Sequence, residues 1–227
     1  MTPPDFDAIA PWYERLEKLT FGGALQRCRV ALLDRVGSPR RVLIAGEGDG
    51  RFLETLQRAC PSAGITVVDA SRRMIELARR RTGGSANVRF IHGDVLNAKL
   101  ELPEVDLVVT CFFLDCFEGR EQSWVIQRLR GCLGPSGRWL WADFAIPEAQ
   151  PMKLIARGGI ALLYRFFGAT TGLRARRLAD VKSDFRKSDM QPVATRTYCG
   201  GLLATALHEV GRCDLDFGPH SPDAGRQ

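Results

Sequence analysis

Three glycines alternate with two carboxylates immediately after an apolar run in VLIAGEGDGRF, Val42 to Phe52. Glycine at Gly46, Gly48 and Gly50 lets the chain turn tightly and lets a ligand approach the backbone closely. The spacing is G-x-G-x-G, whereas a dinucleotide-binding turn needs G-x-G-x-x-G. Glu47 and Asp49 would also face a pyrophosphate at a few ångströms, a repulsion of kilocalories in a partly dry cleft. The loop therefore suits a ligand without phosphate and with positive charge.

Further carboxylates recur where such a ligand would use them. Asp69 stands 19 residues beyond Gly50, closing a second apolar run, where an acid can accept both hydroxyls of a ribose. Ala70 adjoins it, and Met74 lies one helical turn on, against the expected adenine face. Gly93, Asp94 and Val95 follow a third run, and an acid there can take an exocyclic amine. A cofactor of adenosine joined to ammonium and sulfonium groups meets these demands, and that is S-adenosylmethionine. Ala45 would flank it beside Gly46, while Thr110, Cys111 and Phe112, at the end of a fourth run, would stand beside its methyl group.

Displacement at a sulfonium needs alignment and water exclusion, because the cofactor carries the activated carbon. A base matters only when the acceptor must lose a proton. Asp115 and Asp143, past the fourth and fifth runs, are the candidates, and either could instead cap a helix. Phe112, Phe113, Tyr164, Phe166 and Phe167 offer an aromatic lining for a hydrophobic acceptor, and Arg165, Arg174, Arg176 and Arg177 could hold an anionic group on it. No catalytic metal is expected, since no His/Asp cluster is visible. His92, His208 and His220 read as structural or surface residues.

These residues need a frame, and the alternation of short β-branched runs with amphipathic segments supplies one. RVLIAG, GITVVDA, VRFIHGD, VDLVVTCFF and RWLWADF read as strands, with helices in RFLETLQRAC, SRRMIELARRR and WVIQRLRGCL. Ser71 is placed to cap the second of these helices, and GPSG to end the third. The expectation is an α/β, doubly wound, mostly parallel seven-stranded sheet in a single domain. Residues 5–36 form an N-terminal helical cap broken near TFGG, 40–144 the cofactor-binding core, and 148–190 a helical lid with a basic segment. Residues 192–210 form a β-hairpin turned at Gly200–Gly201, and 211–227 a loose tail.

Composition narrows the class. A chain of 227 residues with 45% hydrophobic content can fill one core, and it has no 18-residue apolar run. The seven scattered cysteines fit free thiols in a reducing compartment, and a cytoplasmic enzyme is expected. Nine basic and three acidic residues fall between Pro151 and Met190, which accounts for the whole net charge of +6. That stretch fits a substrate phosphate, an anionic membrane surface or nucleic acid, or is a solvated face.

The motifs VLIAGEGDGRF, VVDAS, FIHGD and VDLVVTCFFLDCF, in that order, resemble the class I S-adenosylmethionine-dependent methyltransferases over roughly residues 5–210. The opening FDAIAPWYERLEKLTFG is similar to the small-molecule branch that includes ubiquinone and menaquinone methyltransferases, and this implies that Tyr13 approaches the cofactor's methionine end. One departure is AGEG, where the family more often has an acid before its first glycine. The resemblance implies methylation of a hydrophobic or aromatic small molecule at O, N or C, and the sequence leaves monomer and homodimer both open. Nucleic acid is not the expected partner: TCFFLD lacks the Asn/Asp-Pro-Pro-aromatic pattern of base-modifying enzymes, and Cys111 lacks the preceding proline of a cytosine C5 enzyme. RNA methylation and an inactive cofactor-binding partner protein stand as the alternatives.

Overall fold

The computed structural model describes residues 7, 10, 12–147, 152–172, 175, 178 and 180–211. Arg174, Arg176, Arg177, Cys213, His220 and the tail 212–227 lie outside the described residues. Five strands are parallel: Arg41–Ala45 (β1), Gly64–Asp69 (β2), Val88–His92 (β3), Val105–Cys111 (β4) and Leu133–Phe144 (β5). Met190–Tyr198 (β6) and Leu203–Val210 (β7) form the hairpin, with β7 antiparallel to β5. The order β3-β2-β1-β4-β5-β7-β6 is the expected doubly wound sheet. Its direction of winding reverses between β1 and β4, and there the carboxyl ends of the strands leave a crevice.

Helices cover both faces, so successive strand residues are apolar on each side. Val42, Ile44, Leu107 and Val109 pack with Ala24–Val30 (α1), Arg51–Ala59 (α2) and Met152–Thr171 (α3). Leu43, Val108, Trp139 and Trp141 pack oppositely, with Arg120–Arg130 (α4) and Val181–Lys187 (α5). Two more helices flank these layers: Tyr13–Phe21 (α0), which precedes α1 across Gly22–Gly23, and Arg72–Arg81 (α2′), which follows β2. Ser71 caps α2′ as its sequence position predicts, its Oγ accepting from Met74 N at 3.0 Å.

Several boundaries differ from the sequence reading. β4 ends at Cys111, because Phe112 turns to φ 54°. β3 ends at His92, two residues before Asp94. α4 begins at Arg120 rather than Trp124: its polar first turn is anchored by Gln122 Nε2 donating to Leu114 O at 3.1 Å, a tertiary bond that carries no apolar period. GPSG does not end a helix but lies within β5, where pairing passes from Leu133 opposite Val105 to Arg138 opposite Leu107 and the extra residues bulge out.

Charge joins the N-terminal helices to the glycine loop. Glu17 on α0 is 6% exposed, and its carboxylate is gripped by two guanidiniums. Arg29 of α1 approaches at 2.8 and 2.9 Å, and Arg51, at the start of α2, at 3.0 and 2.7 Å. Arg51 Nε also lies 3.0 and 2.8 Å from the two oxygens of Asp49. Burial works against the Glu17 charge, but Arg29 and then Arg51 outweigh it and hold the carboxyl below its usual range. The two acids and two guanidiniums balance, and balance matters because a lone buried charge is costly.

Two stability predictions follow from these contacts. Glu17→Gln leaves two buried guanidiniums with Asp49 as the remaining anion of the quartet and should cost about 3–5 kcal/mol. Urea midpoints read this directly; a loss below about 1 kcal/mol would mean that the pairs carry little stability. In the loop, Gly50 holds φ 89° with its Cβ position 2.6 Å from Ala78 Cα, whereas Gly48, at φ 73°, has nothing within 4 Å of its own. Gly50→Ala should therefore cost about 3 kcal/mol or more, through strain and overpacking together, and Gly48→Ala only about 1–2 kcal/mol of backbone strain. Equal losses would contradict this assignment.

Candidate cofactor and acceptor site

A crevice of about 890 Å³, counting the part open to solvent, lies beyond β1 and β4. Among residues expected at the cofactor, Gly46, Glu47, Gly48, Asp69, Ala70, Met74, Gly93, Asp94, Val95, Cys111 and Phe112 line it, and so does Phe113. Three do not. Ala45 is fully buried within the sheet, Gly50 is turned against α2′, and Thr110 is fully buried with its Oγ1 accepting from Trp139 Nε1 at 2.9 Å. Tyr13 opens α0, and its side chain lies outside what is described. Sequence reasoning missed Arg29, Ser71, Leu96, Cys116 and Phe117 on the lining. A charged residue inside the apolar segment CRVALL was the available signal for Arg29.

Backbone donors in and beside the loop are taken up by the protein's own acids. Leu53 N, in the first turn of α2, donates to Glu47 Oε1 at 2.8 Å. Gly48 N donates to Asp69 Oδ2 at 3.1 Å, and Ser71 N to Asp69 Oδ1 at 2.8 Å. These are positions from which a phosphate-binding fold would address its ligand. Glu47 Oε2 has no hydrogen-bond partner and is shielded from solvent, and burial pushes the carboxyl up to about 8. Burial likewise raises Asp69, to about 6, against the lowering effect of its two backbone donors. Asp49 differs from the sequence expectation: Arg51 neutralises it, so it is part of the structural quartet and not a free charge facing a ligand. Asp94 both lines the crevice and caps its own turn, Oδ1 accepting from Leu96 N at 2.9 Å.

The far end is aromatic. The Phe113 ring packs so closely on Gly46 that a Cβ there would meet it at 2.2 Å. Phe112 holds a left-handed backbone rarely adopted by a bulky residue, with Phe112 N donating to Ala142 O at 2.7 Å and the Arg29 guanidinium 4.9 Å over its ring. Just beyond, Asp115 and Asp143 lie buried together, 8% and 1% exposed. Asp143 accepts from Asp115 N at 3.2 Å and Phe144 N at 3.0 Å. Burial raises both, Asp115 to about 6 and Asp143 well above its ordinary value, so the pair holds a proton more readily than two separate carboxyl groups would. Neither caps an α-helix, and neither lines the described crevice. Tyr164 of α3 is buried over the pair, its Oη donating to Asp115 O at 3.1 Å. Arg165 is exposed and Phe166 is 40% exposed, so those two are not part of an inner lining. The Phe167 side chain lies outside the described residues. Among those residues no group of His, Cys, Asp and Glu could hold a metal ion.

With this geometry in view, the comparisons with known proteins are informative. The family described as "Methyltransferase domain" matches residues 42–137, from β1 into β5. A demethylmenaquinone methyltransferase of Clavibacter sepedonicus is 30% identical over 156 residues, covering 67% of this chain and 60% of that protein. The chain thus spans about three fifths of that relative's length. An O-methyltransferase family protein from Burkholderia thailandensis superposes with a TM-score of 0.69 at 18% identity, over 90% of this chain and 59% of that one. The N-methyltransferase NodS from Bradyrhizobium japonicum, solved with S-adenosyl-L-homocysteine, gives 0.57 at 18% identity, over 87% of each chain. Likeness at these identities establishes the fold, to which the family match and the sequence relative add descent. Residues 42–137 match the methyltransferase-domain family, and the chain carries the fold of these S-adenosylmethionine-dependent enzymes.

Proposed function

We propose that the chain binds S-adenosylmethionine in this crevice and methylates a hydrophobic or aromatic small molecule. One observation carries the reading: carboxylates already fill the loop's anion-binding positions, and Glu47 Oε2 has no donor of its own. A cationic ligand supplies that donor, and a diphosphate would meet two acids instead. In this reading Glu47 takes the cofactor's ammonium group, standing in for the acid the family places before the first glycine. Asp69 takes the ribose hydroxyls, Asp94 the adenine amine, and Met74 and Val95 its faces. When bound, the cofactor supplies a methyl group activated on sulfonium. Phe112, Phe113 and Cys111 exclude water at that end, while Asp115, directly behind Cys116 of the lining and paired with Asp143, takes the proton of an acceptor that carries one. Quinone-type acceptors of the curated relatives are consistent with this aromatic end.

Two measurements test it. Glu47 is mostly protonated at pH 7 in the free protein, and an ammonium partner favours its anion. Cofactor binding should therefore release a proton, and affinity should tighten as pH rises from about 6 toward 8. Calorimetry in buffers of different ionisation enthalpy reads the release. Glu47→Gln should abolish it and weaken binding about tenfold, equivalent to about 1.4 kcal/mol; a release that persists in the variant would remove Glu47 from the role. For the acceptor side, turnover should rise as pH climbs through about 6, following ionisation of Asp115. Asp115→Asn should lower kcat about 100-fold or more and erase that limb while leaving cofactor affinity intact. An unchanged pH profile would assign the pair to structure alone.

A further inference from the structure

Helix α3 has two apolar faces. Ala156, Ile160 and Tyr164 are buried at four-residue spacing, and Tyr164 closes on Asp115. The opposite face is also apolar: Leu154 is 72% exposed and Leu162 70%, with Gly158, Ala161 and Ala169 exposed among them. Arg165 is the charged residue exposed on this face among the described residues. A solvated helix ordinarily presents charge on its outer face, so this one is built to be covered.

Charge decides between occupants. Residues 149–179 contain six Lys or Arg and no Asp or Glu. A second copy laid on the same face would bring two such segments together with no acid in either, whereas an anionic lipid surface complements them. Exposed leucines and Arg165 on one face of a 20-residue helix, within a stretch of sequence whose charges are all basic, are the composition of an interfacial segment lying in the plane of a bilayer. No helix among the described residues is long and apolar enough to cross one.

We propose that the outer face of α3 docks on anionic lipid, so that one helix has the bilayer on one side and the acceptor-side acid pair on the other. This gives the proposed small-molecule methylation a substrate class, a lipid-soluble acceptor delivered from the membrane. The docking claim rests on that reading only for the substrate; the surface itself does not depend on it.

Sedimentation of the full chain with vesicles tests the surface. Partition onto phosphatidylcholine containing about 30 mol % phosphatidylglycerol should exceed that onto phosphatidylcholine alone by about tenfold, and should fall severalfold in about 0.5 M NaCl. The double variant Leu154→Gln/Leu162→Gln should lose about tenfold in partition while keeping its affinity for S-adenosylmethionine. Arg165→Glu, a change at an exposed position, should weaken binding to the anionic vesicles alone. No partition, equal partition onto both vesicles, or a concentration-dependent dimer abolished by the double variant would overturn the proposal. Vesicle binding without cofactor binding would uphold the docking surface and refute the methylation reading, so the two failures are distinguishable.

Discussion

The Glu17 carboxylate, held between the guanidiniums of Arg29 and Arg51, is the interaction on which the site depends. It ties α0 and α1 to the first residue of α2, and hence to the loop that leaves β1. Arg51 passes the compensation on to Asp49. One of the loop's two acids is thus discharged within the protein, and the other, Glu47, keeps an oxygen without a partner. The same Arg29 lies over the ring of Phe112, so the quartet also bears on the strained residue at the tip of β4. Electrostatics and strand-end geometry are coupled through one buried carboxylate.

A helix N-terminus beside a glycine turn ordinarily welcomes an anion. Here the protein supplies the anion itself, through Glu47 at Leu53 N and Asp69 at Gly48 N. That substitution converts a phosphate-binding architecture into a crevice whose remaining acceptor capacity points to donors and positive charge. It also couples ligand to structure, because the acid that would meet the ligand already holds the first turn of α2. The energetic cost is a carboxyl group that burial pushes toward its neutral form.

Behind the aromatic end of the crevice two acids share an enclosed site, where burial and then their mutual repulsion raise their proton affinity. Phe112 stores strain beside them, stabilised by an aromatic contact to Phe144 at 5.3 Å as well as by Arg29. Helix α3 closes this end through Tyr164 and turns an equally apolar surface outward. The strand tips therefore divide the crevice into a polar half made by loop carboxylates and an aromatic half made by Phe112, Phe113 and Phe117, with the helix-covered acid pair behind it.

Much of this was legible in the chain alone, because local patterning carries it. β-branched runs at regular intervals dictated the parallel sheet, Gly22–Gly23 and Gly200–Gly201 the breaks, Ser71 its cap, and the strand ends the positions of Asp69 and Asp94. What each charge does could not be read the same way. Asp49 and Glu47 are two residues apart in one loop, yet Arg51 neutralises only Asp49, because the turn into α2 and the grip of Glu17 from α0 fix where its guanidinium lies. The Asp115–Asp143 pair, the turn of GPSG into a bulge, and the outward face of α3 likewise depend on neighbours distant in sequence. Spacing along the chain determined which residues reach the strand tips; only packing decided which of them remained charged, paired or open to a ligand.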